Sequence, residues 1–113
     1  MAAVNVSILT INRTLSGTVA QYGPVTAAGA PATAAGNAVG FAQVGGASGD
    51  VAPVAVLGTT IATAGAAIAV GALVEVHTTV SQVVTKSAGV AIGRALTAAS
   101  SAGDQIEVLI LPN

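Results

Sequence analysis

Residues 88–111 read AGVAIGRALTAASSAGDQIEVLIL and residues 35–57 read AGNAVGFAQVGGASGDVAPVAVL, so the chain contains two related stretches. The later stretch carries one extra residue, and with that gap these residues align: Gly36 with Gly89, Gly40 with Gly93, Ala42 with Ala95, Gly49-Asp50 with Gly103-Asp104, Val54 with Val108 and Leu57 with Leu111. Upstream the match is weaker, with Gly17–Ala20 opposite Gly71–Val74. A period of roughly 53 residues indicates one supersecondary unit used twice, in degenerate copies near residues 5–57 and 58–111.

The repeated unit has the sequence pattern of β-structure. Gln105–Ile110 alternates polar and apolar residues, and Val74–Val80 is rich in β-branched residues with the same alternation. Val90–Leu96 is a third candidate strand. Four residues at equivalent places in the two copies, Gly49, Asp50, Gly103 and Asp104, are predicted to stabilise turns, because glycine accepts a positive φ and aspartate bonds nearby backbone. No stretch shows an apolar period of 3.6 residues with helix caps.

The predicted fold is therefore all-β: a single domain, residues 1–113, forming a small barrel or sandwich from the two repeats. Residues Ala27–Ala38 (AAGAPATAAGNA) are expected to form an irregular Ala/Gly-rich loop. The first twelve residues are apolar, alternating and terminal. They can form either an extended N-terminal arm that adds a strand to a neighbour or an ordinary first strand of the domain.

The composition favours assembly with other protein surfaces. Charged residues make up 6% of the chain, against about 25% in an average protein, and apolar residues make up 53% with only Tyr22 and Phe41 aromatic. A core of such small side chains is weak, and small domains compensate with disulfides, metals or oligomerisation. The chain has no Cys and one His, so we expect no metal or cofactor, and oligomerisation remains.

Other partners are disfavoured by the same composition. Arg13, Lys86 and Arg94 are the only cations and are far apart in sequence, whereas nucleic-acid binding needs clustered cations. The stretch from Val51 to Val74 is uncharged and long enough to cross a bilayer. Its proline, glycines and alanines favour two strands instead. The N-terminus lacks the basic start of a secretory signal. We therefore expect neither nucleic acid nor membrane as a partner.

The sequence offers poor material for an active site. A Ser-His-Asp catalytic triad could be assembled from Ser81, His77 and an Asp, but no G-x-S-x-G motif supports it. Glu75 and Glu107 are more simply explained as solvent-facing strand residues. Asp50 and Asp104 supply one carboxylate per loop, too few for calcium. We expect the protein not to be an enzyme.

Two stretches in the second half of the chain read GTTIATAGAAIAVGALVEV (Gly58–Val76) and AGVAIGRALTAASSAGDQIEVLILPN (Ala88–Asn113). Together they resemble the sequences of small tailed-phage head proteins that decorate, or cement, the capsid. The resemblance begins near residue 36. Where those proteins have an acidic turn after the V-E-V-like strand, this chain has His77-Thr78-Thr79-Val80-Ser81.

The resemblance implies a β-rich virion protein made in the bacterial host cytoplasm and located on the outer capsid surface. It would cement adjacent major capsid protein subunits and form a homotrimer. Independently of the resemblance, two interpretations of Arg94 are open: an ion pair with Asp104 or Glu107, within the chain or across an interface, that sets register, or a simple solvated charge. The candidate contacts with capsid or other copies are Val4, Val6, Ile8, Leu9, Ile11, Arg13 and Arg94.

Two alternatives remain open from the sequence. A self-assembling fibre or ice-binding surface protein would suit the Ala, Thr and Gly content, although a flat ice-binding face wants a regular Thr-x-Thr ladder. A small membrane-associated protein would rest on the Val51–Val74 stretch.

Overall fold

A computed structural model describes residues 6–112 of the chain. These residues contain no helix, and so none that could span a membrane. Eight strands form one antiparallel sheet: β1 (Ser7–Thr14), β2 (Pro24–Val25), β3 (Gly40–Ala42), β4 (Val51–Thr63), β5 (Leu73–Val76), β6 (Val83–Thr85), β7 (Gly93–Ala95) and β8 (Gln105–Ile110). The order is β2-β3-β4-β8-β7-β5-β6, with β1 also paired to β4. The predicted all-β small barrel is confirmed.

Strand β4 is the centre of the sheet and belongs to both halves of the domain. Its first part pairs with β1 and β3, and its second part, Thr59–Thr63, pairs with β8. Between them lies Gly58, with a φ of 101°. The sheet then curls until Ala64, just after β4, bridges Val83 in β6, where the Gly65 N–H donates to the Val83 carbonyl at 2.7 Å. This contact nearly closes the barrel.

The two halves use corresponding strand pairs. Ala42 lies opposite Val54 in the β3–β4 pair, and Ala95 lies opposite Val108 in the β7–β8 pair. In the adjoining pairs, Val25 lies opposite Gly40 and Val74 opposite Gly93. These registers agree with the sequence alignment downstream of residue 35. The weaker upstream alignment, which sets Gly17–Ala20 opposite Gly71–Val74, does not match the structure. There, Val19 and Ile68 occupy the corresponding bridges. That the halves arose as repeats stays a prediction.

The interior consists of two apolar clusters made of small side chains. The larger one fills the barrel and includes Phe41, Val74, Ile106 and Val108, all fully buried. The smaller one covers the opposite face of the first half, where the loop after β1 folds back; its members are Leu15, Val19, Val25, Ala42 and Ala52. Strand β3 is thus buried on both faces.

Some predicted strand limits were too generous. The β-branched run Val74–Val80 is a strand only as far as Val76, because His77 and Ser81 then form a turn, with Ser81 at a φ of 70°. The candidate strand Val90–Leu96 shortens to Gly93–Ala95. Between Ala27 and Ala38 the chain is irregular as expected, apart from an isolated bridge between Pro31 and Val25.

We predict that Gly58→Ala lowers the free energy of unfolding by more than about 2 kcal/mol. A Cβ at this position would overlap the Val6 carbonyl oxygen and the Ile8 nitrogen, in addition to the strain of a positive φ. The control is Gly71→Ala, where φ is 87° and no atom lies within 4 Å of the new Cβ. That variant should lose only about 1 kcal/mol. Equal losses in urea unfolding would contradict the steric role of Gly58.

Candidate functional site

Strand β1 is the most exposed strand of the sheet. Seven of its eight residues are exposed and Ile11 is intermediate. Val6 is 61% exposed, Ile8 73% and Leu9 49%, and Leu57, opposite Leu9 on β4, is 41% exposed. Apolar residues rarely line up in this way on a free surface unless something covers them. We call Val6, Ile8, Leu9 and Leu57 the β1 surface.

The second half presents a row of outward side chains that continues from the β1 surface. The Thr59 N–H donates to the Val6 carbonyl, Thr59 lies opposite Leu109, Leu109 opposite Arg94, and Arg94 opposite Leu73. Directly opposed residues in antiparallel strands share a face. We call Thr59, Leu109, Arg94 and Leu73 the Arg94 row. The structure thus brings two predicted contacts, Val6 and Arg94, onto one continuous surface.

Arg94 is exposed between two leucines, and its guanidinium is held by backbone. Its Nη1 donates to the Gly71 carbonyl oxygen at 2.8 Å rather than to Asp104 or Glu107. A guanidinium has five N–H donors, so this bond uses only part of its donor capacity. Arg13, another predicted contact, is exposed at the far end of β1 opposite Ala52. Val4 lies outside the described residues.

The N-terminal segment is a strand of its own sheet where it is described. Ser7–Thr14 pairs with β4 along its length, with irregular register between Ser7 and Thr10. This corresponds to the ordinary-strand alternative. In the described part of the chain, β4 is the only strand with which β1 pairs, so its other edge has the backbone groups that an added strand would need.

The two aspartate turns have matching hydrogen bonds. Asp50 Oδ2 accepts from the Ala47 N–H at 2.9 Å, and Asp104 Oδ2 accepts from the Ser101 N–H at 3.2 Å. Asp104 also accepts from the Ser100 N–H and hydroxyl, both at 2.9 Å. These bonds, first those from Ser100 and then that from Ser101, lower the pKa of Asp104. The preceding glycines, Gly49 and Gly103, have φ values of 95° and 93°. This geometry suits the turn-stabilising role proposed for the four residues.

Glu75 has a structural role that the sequence pattern did not indicate. Its Oε1 accepts from the Ser87 N–H at 2.7 Å and from the Gly89 N–H at 3.0 Å. The bond from Ser87, followed by that from Gly89, lowers the pKa of Glu75, and the charge of Lys86 adds to the effect. Only the folded structure reveals this contact, because Ser87 lies twelve positions after Glu75 in the sequence. The carboxylate fixes the turn between β6 and β7.

The Ser81 and His77 side chains, considered above for a catalytic triad, accept hydrogen bonds from backbone N–H groups. His77 Nδ1 accepts from the Thr79 N–H at 2.8 Å, and Ser81 Oγ accepts from the Ala20 N–H at 3.0 Å. Ser81 thereby ties the turn after β5 to the first half of the domain. Both residues are structural in this arrangement.

A surface hollow lies at the second aspartate turn. It has a volume of about 680 Å³ and is lined by small and polar residues: Thr97, Ala98, Ala99, Ser100, Gly103, Asp104 and Gln105. Within residues 6–112, no three His, Cys, Asp or Glu residues are grouped as metal ligands would be. A single carboxylate that is already bonded to its own turn offers little for a cation.

Comparison with known proteins agrees with this arrangement of strands. A model of the phage cement protein family matches residues 7–110, from the first residue of β1 to the last of β8. The chain belongs to the phage cement protein family. The suspected resemblance is confirmed, and the family places the chain among capsid-associated structural proteins of phages.

A solved structure shares the fold of this family member. It is the N base of the head fibre protein gp8.5 of bacteriophage phi29, with a TM-score of 0.72 and 18% sequence identity. The alignment covers 91% of this chain and 93% of that chain. Comparison with the curated proteins found no match.

The lowered pKa of Glu75 predicts how acid affects this phage protein. A carboxyl group whose pKa is lower in the folded state stabilises the fold above its unfolded pKa, about 4.3. That contribution is lost as pH falls through the lower folded value. Glu75→Gln should therefore be less stable than the wild type at pH 7, and the difference should shrink as the pH falls below about 4. The measurement is thermal unfolding from pH 7 to pH 2. Glu107→Gln is the control, and a difference that persists unchanged to pH 2 would contradict the role of Glu75.

Proposed function

We propose that this protein binds the outside of a phage capsid and cements adjacent major capsid protein subunits. The observation that carries the proposal is the family match, which spans every described strand. The protein would then be made in the bacterial host cytoplasm and act in the virion, at the outer surface of the capsid. Self-association as a homotrimer belongs to the same proposal.

The β1 surface and the Arg94 row are the proposed contact with the capsid. Together they present exposed apolar side chains around one cation, which suits an interface core poor in charge. Arginine flanked by apolar residues is a frequent centre of binding energy. The unpaired edge of β1 adds a second element, because a capsid segment can hydrogen-bond to it as an additional strand.

Cementing follows physically from selective binding. A protein that binds only the assembled shell shifts the equilibrium toward that shell by mass action. If each oligomer contacts several capsid subunits, weak individual contacts multiply through effective concentration. No chemistry is required of the protein, in keeping with the structural role of its family.

The test is binding of the purified protein to undecorated heads, followed by density-gradient sedimentation. Ile8→Asp should bind at least tenfold more weakly, because the contact would bury an unpaired carboxylate. The matched control is Val80→Asp, since Val80 is 58% exposed on the turn after β5, away from the proposed contact. Decorated heads should also survive chelator and heat treatments that open bare heads.

Failure of the wild-type protein to band with heads would overturn the proposed function. Equal binding by Ile8→Asp and the wild type would overturn only the assignment of the β1 surface. Arg94→Gln tests the row separately, and we expect weaker binding with a smaller dependence on salt concentration.

A further inference from the structure

Ala35 makes one of the backbone contacts between the first and second halves of the domain. Ala35, in the loop before β3, donates its N–H to the Val76 carbonyl at 2.9 Å and accepts from the Val90 N–H at 3.0 Å. It thus lies between the end of β5 and the segment before β7 and is hydrogen-bonded to both. Ala35 adopts the left-handed conformation there, with a φ of 60°.

The first half has groups at the corresponding register positions, in the turn after β2 rather than at the end of a strand, and they are unfilled. Val25 opposes Gly40 as Val74 opposes Gly93, so Ala27 corresponds to Val76 and Asn37 to Val90. Among the described residues, the Ala27 carbonyl and the Asn37 N–H have no hydrogen-bond partner. Between them is an open cleft of about 170 Å³, lined by Thr26, Ala27, Asn37, Ala38 and Val39.

The second half has a residue equivalent to the one that docks. Ala88 aligns with Ala35 in sequence and is exposed, and within residues 6–112 its own N–H and carbonyl are without partners. The neighbouring N–H groups of Ser87 and Gly89 are both tied to Glu75. Glu75 therefore fixes the turn while leaving the polar groups of Ala88 available.

We propose that the cleft beside Ala27 receives the Ala88 turn of a second copy of this chain. The contact would repeat between chains the Ala35 contact within a chain. The Ala88 N–H would donate to the Ala27 carbonyl, and the Asn37 N–H would donate to the Ala88 carbonyl. It deepens the self-association part of the proposed function and rests on that part alone, independently of capsid binding.

The contact is head-to-tail, which determines what it can build. Each copy offers one Ala88 turn and one cleft, so copies join heterologously and close into a ring when the rotation allows. Ala88, unlike Ala35, is not left-handed in the free chain. Adopting that conformation lowers the affinity of each contact roughly tenfold, so association depends strongly on concentration and is favoured where the capsid holds copies close together.

The experiment is sedimentation velocity of the full chain across a concentration range, with variants on both sides of the contact. Ala88→Asp and Ala27→Lys should each weaken self-association at least tenfold, because each would bury an unpaired charge. The double variant should recover most of the wild-type association, because the two charges meet. Ala102→Asp is the matched control, since Ala102 is an exposed turn alanine outside the contact, and it should behave as the wild type. Circular dichroism verifies that every variant is folded.

A monomeric wild-type chain, unchanged association of Ala88→Asp, or a double variant no better than either single one would overturn the proposal. Binding to undecorated heads is measured in parallel. Association that responds to Ala88 without head binding would sustain this inference and refute the capsid function. Head binding that is weakened by Ala27→Lys while the wild type stays monomeric would assign the cleft to the capsid protein and overturn the inference.

Discussion

The continuity of β4 is the constraint on which the rest of this domain depends. One strand supplies partners to β1 and β3 before Gly58 and to β8 after it. Gly58 has a φ of 101°, and only a residue without a side chain fits beside the Val6 carbonyl there. The Arg94 row lies next to the β1 surface because both adjoin β4.

The few charged residues of this protein organise loops. Glu75 and Asp104 each accept N–H groups from a turn, so both carboxylates act on backbone that has no strand partner. Hydrogen bonds to ionised groups contribute more than neutral ones, which matters in a domain whose buried side chains are small. His77 and Ser81 serve similarly as acceptors.

Local patterns predicted the strands well where packing agreed with them. Gln105–Ile110 was predicted and observed with the same limits, because alternation and burial coincide there. The end of β5 was missed because His77 captures the Thr79 N–H, a contact that no alternation reveals. The candidate contacts of the N-terminal segment were predicted from its apolar alternation, and that Val6 and Arg94 lie on neighbouring strands became visible only in the fold.

The exposed apolar side chains of β1 have a thermodynamic consequence for any assembly they enter. Burial of such surface is driven by entropy near room temperature and carries a negative heat-capacity change. Attachment through Ile8 and its neighbours should therefore loosen in the cold and tighten on moderate warming. Strongly hydrated salts such as sulfate should also tighten it. A particle stabilised in this way would be least protected at temperatures of about 0 °C.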